Sequence, residues 1–146
     1  MYDYKTSSYI AYLKARDFLD VARNLDIQED FKLVPTVINA AFSCELFLKA
    51  ILIWKNESSD PIRYHSLKNL FDMLDKEEQD KIKQNANVYN WDSFIKEADR
   101  AFEEWRYIHE KDKCLEISIS EVIRFAESLC LFYGTRHLKQ EVLNDK

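Results

Sequence analysis

Pro35-Thr36-Val37-Ile38-Asn39-Ala40-Ala41-Phe42-Ser43-Cys44-Glu45-Leu46-Phe47-Leu48-Lys49-Ala50-Ile51-Leu52 is the stretch that decides the fold. Pro35 suits a first helical turn, where its missing N–H is no loss. From there Ile38, Ala41, Phe42, Leu46, Leu48, Ile51 and Leu52 put apolar side chains on nearly every face. Such a helix lies either at the centre of a bundle or in a membrane. The run from Val34 to Trp54 is nearly long enough to span a bilayer, but Glu45 and Lys49 near its middle would each cost ~2.5 to 3.5 kcal/mol at a membrane centre. The stretch is therefore predicted to be the buried central helix of a bundle, with two charges inside it.

The rest of the chain supplies partners for that helix and little else. Among 146 residues there are one glycine, Gly134, and two prolines, so hairpin turns and sheet corners have almost no suitable residues. Upstream, Ala11, Ala15, Phe18, Ala22 and Leu25 form one stripe of a helix from about Ser7 to Leu25. Downstream, a polar loop with Pro61 leads to Ser66, which can cap a short helix bearing Leu67, Leu70, Phe71 and Leu74. Asp75 with Glu78 is a capping pair for another short helix anchored by Ile82. A helix starting at Asp92 or Ser93, and a last one capped by Ser118 or Ser120 and carrying Val122, Phe125, Ala126 and Leu129, complete the set. The expectation is all-α: one domain over residues 1–146, a four- to five-helix up-and-down bundle with a short helical insert between helices 2 and 3.

Composition excludes several classes. One glycine cannot build GxxxxGKS or GxGxxG, so phosphate-cradling loops are ruled out. Three scattered cysteines with no CxxC pair fit a reducing compartment, and no signal-peptide pattern opens the chain; a cytoplasmic protein with no membrane association is expected. Net charge of −5 disfavours sequence-blind binding to nucleic acid, which depends on cationic side chains, but leaves room for a local basic site. Neither a closed zinc pattern nor HExxH is present around His109, Glu110 and Cys114, and no metal or cofactor is expected.

The run Phe102-Glu103-Glu104-Trp105-Arg106-Tyr107-Ile108-His109-Glu110 continues a stripe that begins at Trp91, Phe94, Ile95 and Ala98, and His109 falls on that stripe with Arg106 on its flank. Basic groups on an apolar stripe are either paired structural residues or parts of a site. Arg106 offers a bidentate clamp for phosphate and His109 a proton-transfer group near neutral pH, which together suit metal-free RNA cleavage. A core histidine and a salt-bridged arginine would leave the same trace. Tyr107, beside them, suits base stacking as well as packing.

Three segments in combination resemble the small bacterial HEPN-domain family: Ala40-Ala41-Phe42-Ser43-Cys44-Glu45-Leu46-Phe47-Leu48-Lys49-Ala50; His65-Ser66-Leu67 followed by Leu70-Phe71; and Phe102 followed by Trp105-Arg106-Tyr107 and Glu110. The resemblance implies a helical bundle, homodimerisation, and a role around RNA or nucleotides in toxin–antitoxin or anti-phage systems, with an antitoxin-like protein as a further partner. Many members are metal-independent endoribonucleases, so the resemblance leaves open either that activity or a non-catalytic nucleotide-binding or protein-interaction bundle that has lost the nuclease motif. The nucleases of that family carry Arg and His separated by four to six residues. No Arg–His pair here has that spacing, and Arg106 with His109 is the nearest variant.

Two more groupings stand out. Glu45 and Lys49 lie one turn apart, as do Arg106 and Glu110, and the two pairs are expected to form one network across two helices, either architectural or lining a pocket. Arg63, His65 and Lys68 make the densest basic spot near a helix N-terminus, a secondary candidate for phosphate.

Overall fold

The structure, a computed structural model, describes residues 2–28, 33–104 and 118–138, the side chains of 100–104 excepted. Helix α1 runs Tyr4–Asp26, starting three residues before the expected point because Asp3 accepts a hydrogen bond from the Thr6 amide at 2.7 Å and caps the first turn. Helix α2 runs Leu33–Asn56 and holds Pro35 in its first turn. The insert consists of two short helices, α3 (Leu67–Asp72), capped by Ser66, and α4 (Lys76–Ala86). Asp75 and Glu78 form the reciprocal capping box that the Asp-x-x-Glu spacing predicts. Asn87, in the left-handed conformation, closes α4.

Helix α5 runs Trp91–Glu104, and its first turn is held by Asn90, ahead of either expected cap: the Ser93 amide donates to Asn90 Oδ1 at 3.3 Å. Helix α6 runs Ile119–Tyr133 with Ser118 as its cap. Gly134 does not stop it; the chain continues into a π-helical turn, Gly134–Leu138. No strand occurs among the described residues, and the protein is an all-α bundle.

α2 is long and apolar enough to cross a membrane by length and composition, yet it is the element the others cover. Ala40, Cys44, Phe47, Leu48, Ile51 and Leu52 are sealed against α1 and α6, and the same core takes in Leu67, Leu70 and Phe71 of α3 and Phe94, Ile95 and Ala98 of α5. Hydroxyls tie the helices through the core without leaving polar atoms exposed to hydrocarbon. Ser43 donates to the Ala15 carbonyl at 2.9 Å, Ser128 to the Ile82 carbonyl at 2.7 Å, and Ser8 to the Ala50 carbonyl at 2.6 Å. Ser8 also meets the Tyr133 hydroxyl at 2.9 Å, and the Tyr133 ring stacks on Tyr12 with centroids 4.4 Å apart. Cys44 is fully enclosed, which pushes its thiol well above the ordinary range and makes it inert.

Candidate functional site

Glu45 sits mid-way along the most buried helix at 5% exposure. Lys49, one turn on, donates from Nζ to Glu45 Oε2 at 3.1 Å. His65 completes the group, its Nδ1 lying 3.4 Å from the same oxygen and 3.4 Å from Lys49 Nζ. Oε1, the other oxygen of the Glu45 carboxylate, is buried and has no hydrogen-bond partner among the described residues. A buried orphaned oxygen is costly, and native proteins keep few of them. The imidazole faces the other way: 69% of the His65 side chain is exposed.

Local chemistry brings His65 to that position. α2 ends at Asn56, about 10 Å beyond Lys49 along the helix axis. The intervening segment turns at Glu57, whose φ of 50° is left-handed, and contains Pro61. Its far end is pinned by Asp99 of α5. Ser66 Oγ donates to Asp99 Oδ2 and the Leu67 amide to Asp99 Oδ1, each at 2.8 Å. The carboxylate thus satisfies the first turn of α3 and holds the residue just before it, His65, against α2.

Nδ1 lies between the Glu45 carboxylate, which can only accept, and the Lys49 ammonium, which can only donate, so the ring tautomer decides which of the two it bonds. Lys49 neutralises the carboxylate, and the Nε2 edge of the ring remains for an incoming group. Neighbouring residues form a cleft of about 360 Å³ lined in part by Asn56, Ser58, Arg63 and Tyr64.

The three residues grouped near the α3 N-terminus each take a different partner. His65 belongs to Glu45, Lys68 pairs with Asp72 at 2.8 Å, and Arg63 lines the cleft. The Asp72 hydrogen bond holds the Lys68 ammonium above its ordinary range. The anion at the start of α3 is the protein's own Asp99. Of the expected four-residue network, Glu45 and Lys49 are paired; Arg106 and Glu110 lie outside the described residues, as do Tyr107 and His109.

A second charged cluster had no signal in local spacing. Glu78, also at 5% exposure, receives Lys55 Nζ on Oε1 at 2.6 Å and Arg136 on Oε2, while the Asp75 amide donates to Oε1 at 2.9 Å. Asp75 Oδ1 meets Lys55 at 2.8 Å, which holds the Asp75 carboxyl below the usual carboxylate range. Burial works to lower the Lys55 ammonium, but the hydrogen bonds it donates to Asp75 and Glu78 outweigh that and the net shift is upward. Beside Arg136, His137 stacks on Trp54 with centroids 4.0 Å apart; burial and then the Arg136 charge push its imidazole down to about 4. This cluster borders a cleft of about 320 Å³ between α4 and the end of α6.

Residues 10–136 match the HEPN domain family model, and the chain belongs to that family. No curated protein and no solved structure gives a match.

Proposed function

We propose that this HEPN protein is an RNA-directed module of toxin–antitoxin or phage-defence type that cuts RNA without a metal. The observation that carries the reading is the Glu45, Lys49 and His65 group: an exposed imidazole fixed by a buried carboxylate whose charge a neighbouring ammonium balances. An imidazole held in one orientation is the kind of group that general acid–base cleavage of a phosphodiester requires. Arg106 as the clamp on phosphate and His109 as a proton-transfer group remain part of the proposal, with Tyr107 and Glu110 flanking them, and a cytoplasmic homodimer with an antitoxin-like protein partner is its setting.

Incubating the pure protein with total RNA in excess chelator tests it. Fragments ending in cyclic phosphate are expected from wild type, with a loss on the order of a hundredfold or more for a folded His109→Ala variant. Intact RNA would favour a second reading, a nucleotide-binding or protein-interaction bundle. That reading is favoured by the absence of any Arg–His pair with four to six intervening residues.

A further inference from the structure

We propose that the π turn Gly134–Leu138 is an acid-released strap: when the His137 imidazole takes up a proton, the turn leaves Trp54 and draws Arg136 off Glu78, while the bundle beneath stays folded. The proposal does not rest on the ribonuclease reading, and neither falls with the other.

Two adjacent side chains fasten the strap. His137 is 8% exposed, its ring stacked on Trp54 of α2 with centroids 4.0 Å apart and set edgewise to Tyr133 at 4.8 Å. Arg136 lies over the Phe132 ring at 5.3 Å and donates to the buried Glu78 of α4. One turn of chain therefore closes the end of α6 against both α2 and α4. A π turn is a local break in the α-helical hydrogen-bond ladder, and such breaks are frequent at working parts of proteins.

The surroundings accept a neutral imidazole and reject a charged one. The ring makes no hydrogen bond among the described residues, so an imidazolium there would be buried without an acceptor. It would also meet cations from three elements. Arg136 precedes it in its own turn, Lys55 follows Trp54 on α2, and Lys5 of α1 reaches the same Trp54 ring, 5.6 Å from its centroid. α4 supplies the acids, and both are already engaged: Glu78 by Lys55 and Arg136, Asp75 by Lys55 at 2.8 Å. Tyr4 of α1 and Tyr133 of α6 complete the surround with phenol rings.

The sign follows from the two states of the ring. Fastened, it is held at about 4 by burial and by Arg136, with Glu78 opposing; released into water it returns to the ordinary 6.5. The open strap therefore binds a proton that the closed one refuses. As pH falls from 6.5 toward 4, the opening constant rises by roughly tenfold per pH unit, toward a limit of about 300-fold. Release takes Thr135 and Arg136 out of the wall of the cleft between α4 and α6 and uncovers the Trp54 face.

The test uses the full chain labelled with 5-fluorotryptophan, observed by fluorine NMR from neutrality down to about pH 4, with far-UV circular dichroism in parallel. Trp54→Phe assigns the Trp54 signal, and should that variant not fold, Trp91→Phe and Trp105→Phe assign it by elimination. In wild type the Trp54 signal is expected to move reversibly as pH drops below 6.5, with the Trp91 signal and the helix content unchanged. In His137→Phe, which keeps a ring on Trp54 but cannot take a proton, the Trp54 signal should stay at its neutral position. A wild-type Trp54 signal that does not move overturns the strap, as does one that moves equally in His137→Phe. Movement only together with loss of the helical signal overturns it too, because the proton would then be unfolding the whole bundle.

Discussion

Glu45 and Glu78 are both buried glutamates at 5% exposure, and they are treated in opposite ways. Glu78 is fully engaged: Lys55 and the Asp75 amide share one oxygen and Arg136 takes the other, joining α2, α4 and the π turn. Among the described residues, Glu45 uses a single oxygen for both its partners and the other has none. A saturated carboxylate is architecture, because every lone pair works to hold helices together. On the proposed reading, a carboxylate that grips an exposed imidazole retains chemistry at a cost in stability. Under that proposal the rule that buried ion pairs are more often structural than functional holds for Glu78 and not for Glu45.

Removing the two carboxylates should separate them most sharply. Glu78→Ala strands Arg136 and a backbone amide, leaves Lys55 with Asp75 alone, and is expected to cost about 3 kcal/mol in urea unfolding. Glu45→Ala strands Lys49 and the largely exposed His65, and also deletes an oxygen that has no partner among the described residues, so about 1 to 2 kcal/mol is expected. Equal costs would erase the distinction. The His137 stack belongs to the architectural side and can be tested by pH. Below its ordinary value of 6.5 the unfolded imidazole binds a proton that the folded one refuses until about 4. Stability must then fall as pH drops from 6.5 to 4 and level off beneath, by on the order of 1 to 2 kcal/mol after allowing for solvent screening. His137→Phe, which keeps an aromatic ring on Trp54, should flatten that window in melts across pH; an unchanged slope would place the titrating group elsewhere.

Asp99→Ala sharpens the functional side. It removes the cap of α3 and is expected to cost about 1 kcal/mol. It also frees the anchor of His65, so RNA cleavage should fall by more than the lost stability explains; an unchanged rate would mean that α2 alone positions the imidazole. The smallest effect concerns the junction of α6 with the π turn. Gly134 has helical φ and ψ of −60° and −45°, and an added Cβ would meet only the Tyr12 hydroxyl at 4.0 Å. Gly134→Ala should therefore stabilise by about 0.5 to 1 kcal/mol, read as a rise in melting temperature.

The helices were legible because their signals are local. The all-round apolar run of α2, the Asp75 and Glu78 pair and the serine caps each lie within one or two helical turns of sequence. The site was legible only in its local half. Glu45 and Lys49 are four residues apart and could be paired by spacing, whereas His65 joins them from 20 residues away and Asp99 reaches the α3 cap across 32. Nothing in local periodicity reports such meetings. Arg136 and Glu78, 58 residues apart, leave still less trace. His65 stands among basic neighbours in the sequence, while its partner in the fold is the acid on α2.

The Ser8 and Tyr133 contact joins residues 125 positions apart, from the second turn of the first helix to the last residue of α6. The elements that build the Glu45 and His65 group are all translated before that contact can form. α1 and α2 can pair early, as consecutive helices do, but their shared core stays open to water until α6 arrives, and loop closure over so many residues comes late in folding. An unfinished chain thus carries the complete set Glu45, Lys49 and His65 without a stable scaffold to aim it. The last helix is thus the clasp of the fold: until it docks, the core on which Glu45, Lys49 and His65 are set has no closed side.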